Sequence, residues 1–147
     1  MPLDSIYTEL ITEHSRDKRN RRHVEGATCS HRGVNPSCGD ELTLELRVQS
    51  GVIEDAAFTG SGCAISQASA SMMTDLLRGR PVADANRIAE KFLGMIKGEI
   101  TDEADLEELD EAAALQGVSK MPARVKCAVL PWHTYQQAIA DPPGNPA

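Results

Sequence analysis

Leu42-Thr43-Leu44-Glu45-Leu46-Arg47-Val48-Gln49-Ser50-Gly51-Val52, continuing to Thr59 and Gly60, is the stretch from which the fold is read. Leu42, Leu44, Leu46 and Val48 alternate with Thr43, Glu45, Arg47 and Gln49, the two-residue period of a strand with one buried face. Ser50-Gly51 is a two-residue turn signal, and Val52 to Thr59 returns as the antiparallel partner, ending at Gly60. This hairpin carries Cys38 just before its first strand and Cys63 just after its second. Antiparallel pairing therefore brings two sequence-distant thiols to one end of a sheet.

Working outward, Ile6, Leu10 and Ile11 stand at helical spacing behind Asp4 or Ser5 as a cap, which predicts an amphipathic helix over 4–15, ended by the basic block Arg16–His23. Val24, Thr28 and Val34, set among Gly26 and Gly33, fit a weak or edge strand within 24–34. After Cys63 the period changes: Ile65, Ala68, Met72 and Leu76 mark one helical face, and Gly79 with Pro81 stops it. Asp84 is read as the cap of a further helix with Ile88, Phe92 and Met95 or Ile96 inward and Gly98 at its end. Ile100, Leu106, Leu109 and Leu115 have only loose spacing, so the acidic stretch around them reads as a partly helical excursion rather than core. A last helix is predicted from about Pro122 to Ala140, kinked or restarted at Pro131. Residues 1–140 are read as one domain, and the Pro-rich tail 141–147 is expected to be disordered.

With 147 residues and 41% hydrophobic content, the chain is long enough to bury a core without disulfide staples. No run of about 18 apolar residues occurs, and Met1-Pro2-Leu3-Asp4-Ser5 lacks the pattern of a secretory leader, so a cytoplasmic protein is expected. In that compartment the four cysteines read as metal ligands, nucleophiles or buried thiols rather than as a disulfide framework. A net charge of -7 with 3% aromatics argues against nucleic acid as a partner. The basic block Arg16–His23 and the acidic run Glu99–Glu111 read as solvated surface, with docking of a protein partner as the sharper alternative.

Three cysteines sit in small-residue or turn chemistry: Asn35-Pro36-Ser37-Cys38-Gly39-Asp40, Gly60-Ser61-Gly62-Cys63-Ala64 and Ala123-Arg124-Val125-Lys126-Cys127. Three thiolates and a carboxylate suffice to close a tetrahedral metal site. Cys63 opens a helix, whose unpaired amides and positive dipole end favour the thiolate. Gly39 permits a sharp bend that would let the Asp40 side chain converge with the Cys38 sulfur. Cys127 would have to pack against the hairpin end, which no short Cys-x-x-Cys spacing requires, so small buried thiols remain the competing reading. Cys29 is read as an ordinary thiol, and His14, His23, His31 and His133 as surface or packing residues, with His31 closest in sequence to Cys38. Trp132 is read as core.

Together with Ile65-Ser66, the run Ala68-Ser69-Ala70-Ser71-Met72-Met73-Thr74, Ala114–Lys120 and Pro122–Ala128, these motifs resemble the iron–sulfur assembly proteins of the SufU group, within the wider IscU and NifU N-terminal family. The resemblance covers about residues 4–140. It implies an α+β fold, a three-stranded antiparallel sheet packed against several helices, with Cys38, Asp40, Cys63 and Cys127 as ligands of a metal at one exposed end. Cluster-building scaffolds of the family usually have His directly before the third cysteine, where this chain has Lys126, and a shorter stretch between the second and third cysteines. The resemblance therefore implies a zinc-dependent sulfurtransferase. It would take persulfide sulfur onto Cys38 from a pyridoxal-phosphate cysteine desulfurase of the SufS type and serve a downstream SUF cluster-assembly complex. Arg124 is the candidate for stabilising the sulfur-bearing group. The alternative is a scaffold that assembles a labile iron–sulfur cluster on the same cysteines.

Overall fold

The computed structural model describes residues 3–140, and side chains from Glu9 onward. The tail 141–147 and the side chain of Ile6, both subjects of expectation above, lie outside the described residues. The elements run α1 (Leu3–Arg16), β1 (Cys29–Asn35), β2 (Asp40–Gln49), β3 (Val52–Ser61), α2 (Ala64–Leu77), α3 (Val82–Ile96), α4 (Glu103–Glu108), a 3₁₀ segment (Asp110–Lys120) and α5 (Pro122–Ala140).

The strands form one antiparallel sheet in the order β1-β2-β3, which makes β1 the expected edge strand. Leu42, Leu44 and Leu46 are buried on β2 while Thr43, Glu45 and Arg47 are only half-buried, as the alternation requires. Asp40 is in phase with those leucines and is buried with them. The β2–β3 turn has positive φ at Ser50 (52°) and Gly51 (77°), the mirror-image turn whose twist matches the flanking strands. Leu44 stands opposite Phe58, Glu41 opposite Ser61, and a register shift at Arg47/Val48 absorbs the twist.

Helix α2 is the centre of the molecule and corrects the one-sided face expected for it. It is buried nearly all round, from Ser66 to Thr74 and again at Leu76 and Leu77, because α1, α5, β3 and the 3₁₀ segment all pack on it. Its Ala and Ser residues let these neighbours approach closely. On α3, Ile88, Phe92, Met95 and Ile96 face inward as expected. Asp84 does not cap it: Pro81 holds that position, and Asp84 lies in the first turn, bound to Arg80 at 2.7 Å and Arg87 at 2.6 Å.

A further expectation changes. The acidic stretch is helical but is not an excursion, since Leu109, Ala112, Leu115 and Val118 are fully buried. Its loose spacing reflects a six-residue α-turn run followed by a 3₁₀ segment, whose three-residue repeat presents 109, 112, 115 and 118 to the core. Several of its acids are paired, Asp105 and Glu108 with Lys91, Glu108 also with Arg87, and Glu111 with His14. In the basic block, Arg19 pairs with Asp17 and Asp75, Arg22 with Asp55, and His23 with Glu45, while Arg16, Lys18, Arg19, Arg22 and His23 all stay exposed, the solvated surface expected of it.

Helix α5 runs through Pro131 without a restart. Ser69 of α2 holds it on both sides of the proline, donating to the Ala128 carbonyl at 2.6 Å and accepting from Trp132 Nε1 at 3.0 Å. Trp132 is fully buried and stacks on Phe92 at 4.2 Å between centroids. Among the described residues no helix is long and apolar enough to cross a membrane.

Candidate metal centre

The site forms where the open end of the sheet meets the start of α2 and the first turns of α5. Asn35 and Asp40 face each other as the last pair of the β1–β2 ladder, and residues 36–39 turn between them. Two backbone bonds shape that turn, Cys38 N–H to the Asn35 carbonyl at 3.2 Å and Gly39 N–H to the Pro36 carbonyl at 3.3 Å. Gly39 takes φ +69°, the left-handed conformation that a side-chain-bearing residue adopts only at a cost. The bend sets Cys38 half-buried at the rim and sends the Asp40 side chain inward at 1% exposure.

Cys63 is the N-cap of α2. Its N–H donates to Asp40 Oδ1 at 2.8 Å, and its Sγ lies 3.9 Å from Asp40 Oδ2. Gly62 makes this closure possible. A Cβ there would stand 2.5 Å from Asp40 Oδ1 and 2.6 Å from Ser66 Oγ. Cys127, fully buried on α5, brings its Sγ to 3.2 Å from Cys38 Sγ. Asn35 Nδ2 donates to the Cys127 sulfur at 3.9 Å, and the Ala123 carbonyl lies 4.0 Å from both the Cys38 and the Cys127 sulfur.

One ligand atom each from Cys38, Asp40 and Cys127 falls within 4.8 Å of the other two. Cys63 is outside that closest set and joins it through Asp40. Three of the four residues expected as ligands thus meet at one point, and Cys63 lies beside them against Asp40. Arg124 is exposed and makes no side-chain hydrogen bond or ion pair among the described residues. His31 stands on β1 opposite Leu44, outside the thiol group, and Cys29 is buried at the other end of that strand.

The donor set fits a soft divalent metal on two counts. Two sulfurs and a carboxylate oxygen converge with a third sulfur beside the carboxylate, donors of the kind that suit zinc and iron–sulfur centres. Asp40 is also a buried carboxylate with no Lys or Arg paired to it among the described residues, a charge that calls for a cation. Burial, with Cys38, Asp40 and Cys63 beside it, pushes the Cys127 thiol far above its ordinary value.

Asn35 and Gly62 were missed by sequence reasoning. Asn35 had a signal, since it opens the Asn-Pro turn before Cys38. Gly62 carries no local signal beyond its small size, because its close contact with Asp40 follows from strand register.

The model of the NifU-like N-terminal domain matches residues 6–146. A zinc-dependent sulfurtransferase SufU of Bacillus subtilis is 38% identical over 97% of this chain and 95% of its own length. An iron–sulfur cluster assembly scaffold protein IscU of Thermotoga maritima is 39% identical over 95% of this chain and 96% of its own. Among solved structures, one described as a candidate iron–sulfur cluster assembly scaffold for the SUF system, from Fervidobacterium islandicum, superposes with a TM-score of 0.83 at 36% identity, covering 92% of this chain and 97% of that one. The chain belongs to the NifU-like N-terminal domain family, which includes the SufU and IscU proteins.

Proposed function

We propose that this member of the family is a sulfur acceptor in iron–sulfur cluster biogenesis, taking sulfane sulfur onto Cys38 from a cysteine desulfurase, with Cys38, Asp40, Cys63 and Cys127 as the ligands of a zinc ion. Bound zinc would supply positive charge that keeps the thiols deprotonated and fixes their geometry.

The observation that carries the reading is the unequal anchoring of the three cysteines. Cys63 is fixed at the head of α2 and tied to Asp40, and Cys127 is fully buried in α5. Cys38 sits half-exposed on a turn held by two long backbone bonds. It is the thiol that can swing toward a docked partner while the others stay. Its thiolate then attacks the outer sulfur of the partner's cysteine persulfide. The partner's S–S bond breaks and its cysteine leaves as a thiolate. A new S–S bond on Cys38 carries the sulfur, with no net oxidation. Arg124, exposed on α5 three residues before Cys127, is the residue that in this reading supplies charge to the persulfide anion. The Bacillus relative's description supports this reading, and Lys126 before the third cysteine favours it over cluster assembly.

The test is desulfurase turnover in the presence of the protein, with mass spectrometry of the protein afterwards. Wild type should accelerate sulfide release under reducing conditions and gain one sulfur atom on Cys38, and Cys38→Ala should do neither. Unchanged turnover with wild type would leave only a metal-stabilised binding module. Arg124→Ala should keep its zinc and accept sulfur more slowly; full-rate acceptance would remove that residue from the account.

Assembly of a labile cluster on the same donors is the second reading. It is favoured by the match to the Thermotoga scaffold, which is as extensive as that to the sulfurtransferase.

A further inference from the structure

Asn35 closes β1, and the proline after it holds it in the extended conformation of the strand. Its side chain therefore alternates with that of Val34: Val34 stands exposed, and Asn35 is buried. Helix α5 is pressed against this inward face of β1. Gly33, two residues earlier on the same face, admits it, since a Cβ there would overlap Thr134 Oγ1 and stand 3.2 Å from Leu130 Cδ1. The run Gly33-Val34-Asn35-Pro36 thus delivers one carboxamide to the turn of α5 that holds Cys127.

What that carboxamide bonds is unusual for its place. An Asn that opens a turn ordinarily uses its side-chain oxygen to accept a backbone N–H two residues on. Here main-chain groups close the turn, with the Asn35 carbonyl accepting the Cys38 N–H at 3.2 Å. The side chain makes a single hydrogen bond among the described residues, from Nδ2 to Cys127 Sγ at 3.9 Å. Neither of the other two sulfurs has an N–H donor among the described residues. Cys38 Sγ faces the Ala123 carbonyl at 4.0 Å, and Cys63 Sγ faces Asp40 Oδ2 at 3.9 Å.

The distinction matters because Cys38 and Cys127 Sγ stand 3.2 Å apart. A sulfane sulfur carried on Cys38 lies within reach of Cys127, and exchange would move it. The Cys127 sulfur would bond the outer sulfur, the bond from that sulfur to Cys38 would break, and Cys38 would take the proton that Cys127 gives up, with no net oxidation. An N–H on the Cys127 lone pair withdraws electron density from the attacking atom and fixes its direction. We infer that Asn35 is the positioning residue that keeps Cys127 a fixed ligand and confines the transferred sulfur to Cys38. The inference rests on the sulfur-acceptor reading above.

The test compares wild type with Asn35→Leu, similar in size but without a donor, and with Asn35→Ala, which serves where Asn35→Leu does not fold. Each protein is loaded with cobalt(II), and separately persulfidated by a cysteine desulfurase with free cysteine, alkylated and mapped by mass spectrometry. Without the donor the Cys127 thiolate is more electron-rich, so the sulfur-to-cobalt absorption band should move to longer wavelength, and zinc affinity should fall about tenfold or more. Wild type should carry the added sulfur on Cys38 alone, and the variants on both Cys38 and Cys127. A band at the wild-type position, or sulfur confined to Cys38 in the variants, would overturn the inference. Wild type that takes up no sulfur would count against the sulfur-acceptor reading instead, and the cobalt band would then decide the Asn35 bond to Cys127 by itself.

Discussion

Asp40 accepts the backbone N–H of Cys63 at 2.8 Å, so the first residue of β2 is locked to the residue that opens α2. One carboxylate oxygen serves the fold and the other faces the Cys63 sulfur at 3.9 Å. Asp40→Asn should therefore keep the tie through its amide oxygen and remain near wild type in thermal unfolding, yet lose zinc to a competing chelator far more readily. Asp40→Ala should lose both, with stability falling by about 1–3 kcal/mol. Equal zinc retention in the Asn protein would remove the carboxylate from the ligand set.

Gly62 acts only through space. Its φ is not in the left-handed region, so alanine strains no backbone, and the added Cβ meets Asp40 Oδ1 and Ser66 Oγ instead. Gly62→Ala should weaken zinc retention in wild type and have little further effect in Asp40→Ala, a non-additivity that a double-mutant cycle measures. Additive losses would mean that Gly62 serves something other than the Asp40 closure.

Ser69 joins α2 to α5 at Ala128, the residue after Cys127, and at Trp132 one helical turn further on. Ser69→Ala leaves the Trp132 Nε1–H and a shared carbonyl with one partner fewer, at a cost of about 1–3 kcal/mol in denaturant unfolding. Leu115→Ala, in the acidic stretch, should cost about 2–5 kcal/mol because the side chain is fully buried. A surface-like effect there would restore the excursion.

Asp55 sets an acid limb. Its hydrogen bonds to Arg22, with Arg78 also donating, hold its carboxyl well below the ordinary 3.8. A carboxyl lowered in the folded state stabilises above its unfolded value and loses that contribution as pH falls through the folded one. Asp55→Asn should be less stable than wild type at neutral pH, and the gap should close progressively below pH 3.8. A gap that stays constant with pH would assign the effect to packing.

The hairpin and the helical face of α3 were legible because a strand's period of two and a helix's near-four show directly in which residues are apolar. Leu42, Leu44 and Leu46 carried the first, and Ile88, Phe92 and Met95 the second. The neighbourhood of Cys38 and Cys63 followed from pairing alone. What stayed hidden depended on contacts made at a distance. A 3₁₀ repeat through Leu109, Ala112, Leu115 and Val118 matches neither period that was sought. Pro131 signals a break in any isolated helix, but Ser69 and Trp132 grip both sides of it. The ion pairs of Arg19, Arg22 and His23 were not legible from the basic block itself because Asp75, Asp55 and Glu45 lie on other elements. Gathering Cys127 with the hairpin thiols needed the packing of α5 across β1, which no local pattern encodes.

Metal and acid-labile sulfide content of the protein, purified anaerobically without added metal beside Cys38→Ala and Asp40→Ala, tests the central claim most directly. About one zinc per chain without sulfide, and reduced zinc in both variants, is the result expected of a sulfur acceptor built on these four ligands. Iron with matching sulfide would contradict it in favour of cluster assembly, and the absence of both metals would contradict the site itself.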